Sequence, residues 1–154
     1  RAASLLDTGH LGIPESIREK KGRLTKREDE IIKTHPYRGV EIIQSIESLR
    51  PVIPIILYHH ERYDGKGYPE GLRGNEIPLG SRIIALIVAF IAMVTHRPYR
   101  EALSVGEAIT EIEHMSGTQF DPKVVTAFAE LKNKERIMNL MKEVANGTKD
   151  RDQN

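Results

Sequence analysis

The sequence predicts an all-α fold, a bundle of short helices, and three observations carry that expectation. Thr25-Lys26-Arg27-Glu28 and Ser104-Val105-Gly106-Glu107 are capping boxes, in which a hydroxyl residue and a glutamate three positions on satisfy each other's exposed amides. Asp121-Pro122 is an N-cap residue followed by proline, whose fixed φ and missing N–H suit the first helical position. No stretch alternates apolar and polar residues with the period of two that a half-buried strand requires.

The elements follow in order. Pro14 to Lys20 forms a short helix with proline near its first turn. A second helix begins at Thr25 and stops near Thr34-His35, because Pro36 disfavours helical geometry at the residue before it. Pro36 opens a third helix, through about Glu47, with Ile42, Ile43 and Ile46 as its apolar stripe. Pro51 and Pro54 open an isoleucine-rich helix that ends around Arg62 and carries His59 and His60 in its last turn. Asp64 to Leu79 holds Gly65, Gly67, Gly71, Gly74, Pro69 and Pro78, a loop long enough to suggest function. Helices are expected from about Gly80 to His96, from Ser104 to about Met115, and from Asp121 onward. Residues 1–146 read as one domain and 147–154 as a frayed polar tail.

Composition removes several function classes. With 39% hydrophobic and 29% charged residues, the 154-residue chain has an ordinary globular balance. A net charge of +1 gives no electrostatic case for bulk nucleic-acid or membrane-surface binding. The absence of cysteine excludes disulfides, zinc-thiolate sites and thiol nucleophiles. Ile83 to Val94, the longest apolar run, falls short of the roughly 20 residues a bilayer span needs. The opening residues Arg1 to Leu6 have too short an apolar run for a signal peptide, and a cytoplasmic location is expected.

The chemistry concentrates in His59-His60-Glu61-Arg62-Tyr63-Asp64-Gly65-Lys66-Gly67-Tyr68-Pro69. Imidazole and carboxylate are the usual ligands for iron, manganese or zinc in a hydrolase without thiols. A divalent ion can acidify water and neutralise charge on a phosphate, and two ions can clamp both sides of a displacement. Simpler readings stand beside this one. His59 and His60 could be one core and one surface histidine, Asp7 a helix-end carboxylate, and Tyr68 a tyrosine packed under a turn. His10 and His96 read as non-ligands.

From Ala2 to Ala129 the chain resembles the HD-GYP family, bacterial metal-dependent phosphodiesterases that open cyclic di-GMP. The resemblance runs through Gly9-x-x-Gly12-Ile13-Pro14, Leu24-Thr25, His35-Pro36-x-x-Gly39 and the His59 to Pro69 segment with its Gly67-Tyr68-Pro69 triplet. It continues through Leu72-x-Gly74-x-x-Ile77-Pro78, Arg82-Ile83-Ile84-Ala85, Arg97-Pro98-Tyr99-Arg100 and Phe120-Asp121-Pro122. It implies an HD-domain-like helical bundle, with the family's first helices and their upstream ligands lying outside this N-terminally truncated chain. The implied metal ligands are Asp7, His35, His59 and His60, enough for one iron, manganese or zinc ion; Asp7 is the one candidate for a catalytic role. Tyr68, Arg97 and Arg100 match positions that contact the dinucleotide, and arginine's planar fork suits phosphate.

Other family positions are altered. The family's His-Asp pair and following lysine align with Leu6, Asp7 and His10, and two helix aspartates align with Val88 and Ile91. Val88 and Ile91 are expected to join a buried apolar helix, replacing costly buried carboxylates with packing. The leading expectation is therefore a cyclic di-GMP phosphodiesterase domain weakened or inactivated by ligand loss, holding one ion or none. The alternatives are a non-catalytic module binding the dinucleotide or a GGDEF-type partner, a residual single-metal phosphodiesterase, and a remnant with no role. A homodimer could supply missing helices, and without them apolar surface should remain exposed.

Overall fold

A computed structural model gives the structure of the chain and describes residues 2–96 and 101–131, with isolated helical positions at 139 and 143. Among the described residues every regular element is helical, and the sole β-type pairing is an isolated bridge between Ser116 and Phe120. The α-helices are α1 (Glu15–Arg18), α2 (Lys26–Ile32), α3 (His35–Ile43), α4 (Ile53–Leu57), α5 (Leu79–Val94), α6 (Val105–His114) and α7 (Pro122–Leu131). Short 3-10 turns at Ala2–Ser4, Thr8–Gly12, Glu47–Val52 and Gly74–Glu76 complete the set. No described helix is long and apolar enough to cross a membrane. The chain divides into two compact units, Arg1–Ile84 and Ala85–Asn154.

The first unit is organised by one face of α3. His35, Gly39 and Ile43 are all buried, and their spacing of four residues stacks them along a single stripe. Its apolar end, Ile43, closes with Leu6 and Ile56 into a small core at 2%, 4% and 0% exposure, flanked by Val40, Leu49, Val52, Ile53 and Ile84. Fully burying an isoleucine or leucine contributes about 1.5–3 kcal/mol each. The polar end of the same stripe, His35, is thereby fixed a few residues from an apolar anchor.

The 3-10 turn Thr8–Gly12 lies directly on α3. A Cβ on Gly9 would sit 1.8 Å from the His35 carbonyl oxygen, so only glycine permits this approach. Arg38 fastens the turn's far end by donating to the Gly12 carbonyl at 2.9 Å.

Both capping boxes form as the sequence predicts: Thr25 and Ser104 accept from the amides of Glu28 and Glu107, whose carboxylates bond back to the cap amides. Asp121 accepts from the Lys123 amide at 2.8 Å, as a residue capping α7 should.

The second unit packs α6 and α7 with the later turns of α5. Leu86, Phe90, Met93 and Val94 meet Ala108, Ile109, Ile112, Phe120, Val125 and Phe128 in one cluster. Phe90 and Phe128 meet edge-on, with ring centroids 5.2 Å apart.

Three expectations are corrected. The third helix ends at Ile43 rather than Glu47, and Ile42 and Ile46 are 48% and 47% exposed. The buried face is set by His35, Gly39 and Ile43, and neither of the other isoleucines falls on it. The histidine pair lies in the turn after α4, which stops at Leu57, not in a last helical turn. Val88 and Ile91 are 38% and 41% exposed, because the buried stripe of α5 passes through Leu86, Phe90, Met93 and Val94 on another side of the helix. Leu11, Leu79 and Ile83 are also exposed. The polar tail from residue 147 lies outside the described residues.

Candidate metal centre

Three separate segments deliver the site. His35 is the first residue of α3, His59 and His60 occupy the turn after α4, and His10 lies in the 3-10 turn seated on α3, with Asp7 the residue that precedes that turn. The ligand atoms of His35, His59 and His60 lie within 4.8 Å of one another, and so do those of Asp7, His10 and His35. His35 is common to both sets.

Hydrogen bonding fixes the tautomers of two rings. His35 Nδ1 donates to the Ile32 carbonyl at 2.9 Å and His59 Nδ1 donates to the Ile56 carbonyl at 2.7 Å. A carbonyl can only accept, so each Nδ1 carries the hydrogen and each Nε2 presents a lone pair. The two Nε2 atoms face one another at 3.4 Å. Two acceptors at that distance repel unless a proton or a cation lies between them. Burial pushes the His35 pKa down to about 4, and burial also lowers that of His59, so a shared proton is unfavourable near neutral pH. A cation between them would resolve the arrangement, and anchoring the second ring nitrogen to a carbonyl is how metal-binding histidines are oriented.

His60 completes the triad. Its ring centroid is 4.0 Å from that of His59 and 4.9 Å from that of His35. Burial, then the neighbouring histidines, lowers its pKa to about 3, leaving a neutral ring with a free lone pair. Tyr68 stacks on its outer face at 4.7 Å and 18°. Burial raises the Tyr68 pKa to about 12, so it stays a neutral phenol. Neutral imidazoles with one carboxylate nearby and no thiol fit a borderline divalent ion such as iron, manganese or zinc.

The glycine loop is pinned beside the triad. Glu61, 4% exposed, accepts from the Glu70 and Gly71 amides at 2.7 and 3.0 Å. Arg62 forks onto Asp64 at 3.0 and 2.8 Å, and Asp64 accepts from the Lys66 amide at 3.1 Å. A Cβ on Gly67 would lie 2.4–2.6 Å from backbone atoms of His60, Glu61 and Arg62, so this glycine lets the loop fold back against the histidine turn. The fold-back is where the Tyr68 amide meets the His60 carbonyl at 3.3 Å.

Residues 1–124 match the HD domain family. The chain belongs to the HD domain family. This HD domain is 46% identical over 132 residues to a cyclic di-GMP phosphodiesterase of Thermotoga maritima, covering 84% of this chain and 36% of that protein. It is 41% identical over 128 residues to the cyclic di-GMP phosphodiesterase response regulator RpfG of Xanthomonas campestris, covering 82% of this chain and 34% of that protein. A 3'3'-cGAMP-specific phosphodiesterase 3 of Vibrio cholerae is 35% identical over 141 residues, 92% of this chain and 29% of that protein. The chain thus spans about a third of the length of the curated relatives it matches. The crystal structure of a cyclic GMP-AMP specific phosphodiesterase from V. cholerae shares the fold, with a TM-score of 0.61 at 23% identity, over 95% of this chain and 37% of that one. The HD-GYP resemblance and the helical fold are borne out together.

The described residues place the sequence-derived positions of the HD domain except Arg97 and Arg100. His35, His59 and His60 converge, while Asp7 shares a set with His35 but not with the histidine pair. The Asp7 side chain is 83% exposed. Leu6, where the HD-GYP pattern carries histidine, is a core residue at 4% exposure. Arg97 and Arg100 lie outside the described residues. His96 faces Glu101 at 4.0 Å, a surface role. His10, which the sequence reads as a non-ligand, stacks on His35 with centroids 4.2 Å apart and planes 16° apart. Its spacing of three from Asp7 was the available signal.

Proposed function

We propose that this HD domain binds one divalent transition-metal ion through His35, His59 and His60, with Asp7 as a further ligand, and acts on a cyclic dinucleotide such as cyclic di-GMP. The observation that carries this reading is the pair of carbonyl-anchored histidines presenting lone pairs to each other at 3.4 Å. The iron, manganese or zinc ion suited to this donor set supplies Lewis acidity toward a phosphodiester and makes water a better nucleophile.

The chain's own residues have separable tasks. His35 and His59 hold fixed tautomers, and the Tyr68 face against His60 narrows the approach to the triad. Tyr68 is also suited to stacking against a nucleobase, with Lys33 Nζ 5.8 Å from its ring centroid as a nearby cation. Arg97 and Arg100 are proposed phosphate ligands on the strength of sequence alone. With Leu6 in the core and aliphatic side chains at positions 88 and 91, the donors support one ion rather than a two-ion clamp, so turnover should be slow.

The test is metal content per protomer together with cyclic di-GMP hydrolysis followed by chromatography, for the chain and for His59→Ala. About one ion per chain, with slow turnover that His59→Ala abolishes, supports the proposal. Metal-free protein after incubation with Mn²⁺, Fe²⁺ and Zn²⁺ would sink it. One ion with saturable cyclic di-GMP binding but no turnover would instead favour a signalling module, whose partners would include a GGDEF-type protein.

A further inference from the structure

His10 stands where the family pattern carries lysine, and the proposed triad does not use it, yet it sits against the site. Its Nε2 lies 3.6 Å from Asp7 Oδ1 and its ring stacks at 4.2 Å on His35. The ligand atoms of Asp7, His10 and His35 fall within 4.8 Å of one another. Donors held 2.0–2.1 Å from one ion stand at most about 4.2 Å apart. Coordination of one ion by all three requires a closer approach than that and the His10 ring turned off its stack, because near-parallel stacked rings do not aim their lone pairs at a common point. The His10 side chain is 30% exposed and can move, whereas Gly9 and Arg38 hold its backbone against α3.

His35 limits how the two sets can be filled. With Nδ1–H donated to Ile32, its neutral ring has a single lone pair, on Nε2, and can ligate only one ion. The sets Asp7-His10-His35 and His35-His59-His60 share that one donor and cannot each hold an ion through it.

We infer that His10 is a direct ligand of a single shared ion, so that this chain binds metal through four histidines and Asp7 drawn from both sets. A histidine in the 3-10 turn offers a nitrogen donor that the buried Leu6 cannot. The inference rests on the ion-binding reading above.

The test is a Zn²⁺ titration by calorimetry, with Co²⁺ absorption as a second readout, on the chain and on His10→Phe, His10→Lys and His59→Ala. Phenylalanine keeps the stacked ring and removes the nitrogens, so packing and ligation separate. The expected result is one ion per chain, an affinity loss of about tenfold or more in His10→Phe and His10→Lys, and a changed Co²⁺ spectrum in both. Losses of 10–100-fold follow even from removing partners outside the coordination shell, so a ligand should cost at least that. Circular dichroism matching the parent confirms that the variants fold. Unchanged Zn²⁺ affinity and Co²⁺ spectrum in His10→Phe would overturn the His10 assignment while leaving the triad standing. Two ions per chain would overturn the shared-donor argument. Absence of Zn²⁺ binding by the parent chain would overturn this inference and the proposed function together.

Discussion

Replacing Gly9 by alanine tests how the site is positioned. The added Cβ would lie 1.8 Å from the His35 carbonyl oxygen and 2.7 Å from the Gly39 amide nitrogen. Real Cβ contacts essentially never fall below 3.0 Å, so the turn or α3 must move by at least about 1.2 Å, the difference between 3.0 and 1.8. Both clashing groups are backbone, and no rotamer change can relieve them. Overpacking of this kind costs about 1–3 kcal/mol. For a chain of this size, about 2 kcal/mol lowers Tm by roughly 4–8 °C. The 3-10 turn is the weaker element and should give way, carrying Asp7 and His10 off His35. The histidines on α3 and after α4 would keep their carbonyl anchors. The assay is urea denaturation of the metal-free protein, followed by Zn²⁺ titration of the folded variant. Gly9→Ala should lose stability and bind Zn²⁺ no better than His10→Phe, yet better than His59→Ala. Unchanged stability, or Zn²⁺ binding equal to the parent, would refute the idea that this close approach sets the ligand geometry.

The metal-free protein should lose stability on acidification. His35 has a folded-state pKa of about 4 against an ordinary 6.5, so below pH 6.5 the unfolded chain takes up the proton first. Its stabilising contribution is full above that pH and is lost as pH falls to about 4; at about 1.4 kcal/mol per tenfold, His35 accounts for at most ~3.5 kcal/mol. Urea midpoints that do not fall between pH 7 and 4 would contradict this. Ile112→Ala, at 0% exposure, should cost about 2–5 kcal/mol, whereas Ile91→Ala, at 41%, should cost well under that; equal losses in denaturation would show that Ile91 is covered. Glu61→Ala should speed hydrogen exchange at the Glu70 and Gly71 amides, which lose their carboxylate acceptor; unchanged protection would mean the loop is held by other contacts.

Local chemistry was legible in the chain. Thr25, Ser104 and Asp121 fixed helix starts because a cap is satisfied within a few residues, so short-range sequence contains the whole interaction. The histidine-rich loop, and the structural role of Glu61 and Asp64 within it, could be read for the same reason. Burial was less legible. Ile42, Ile43 and Ile46 look alike in sequence, and only packing on the face shared by His35 and Gly39 buries Ile43 and leaves the others exposed. Val88 and Ile91 were misjudged similarly, since an apolar helix does not say which of its sides is covered.

What the sequence by itself determined was the helical class, the family and the presence of imidazoles at His35, His59 and His60 as candidate donors. What only the tertiary structure decided was which donors meet. Asp7 and His10 reach His35 because a glycine lets one turn press on α3, and the lone pairs of His35 and His59 converge because each ring's other nitrogen is tied to a carbonyl. Those are long-range distances and orientations, set by packing between segments far apart in the chain, and residue identity along one strand of sequence does not contain them.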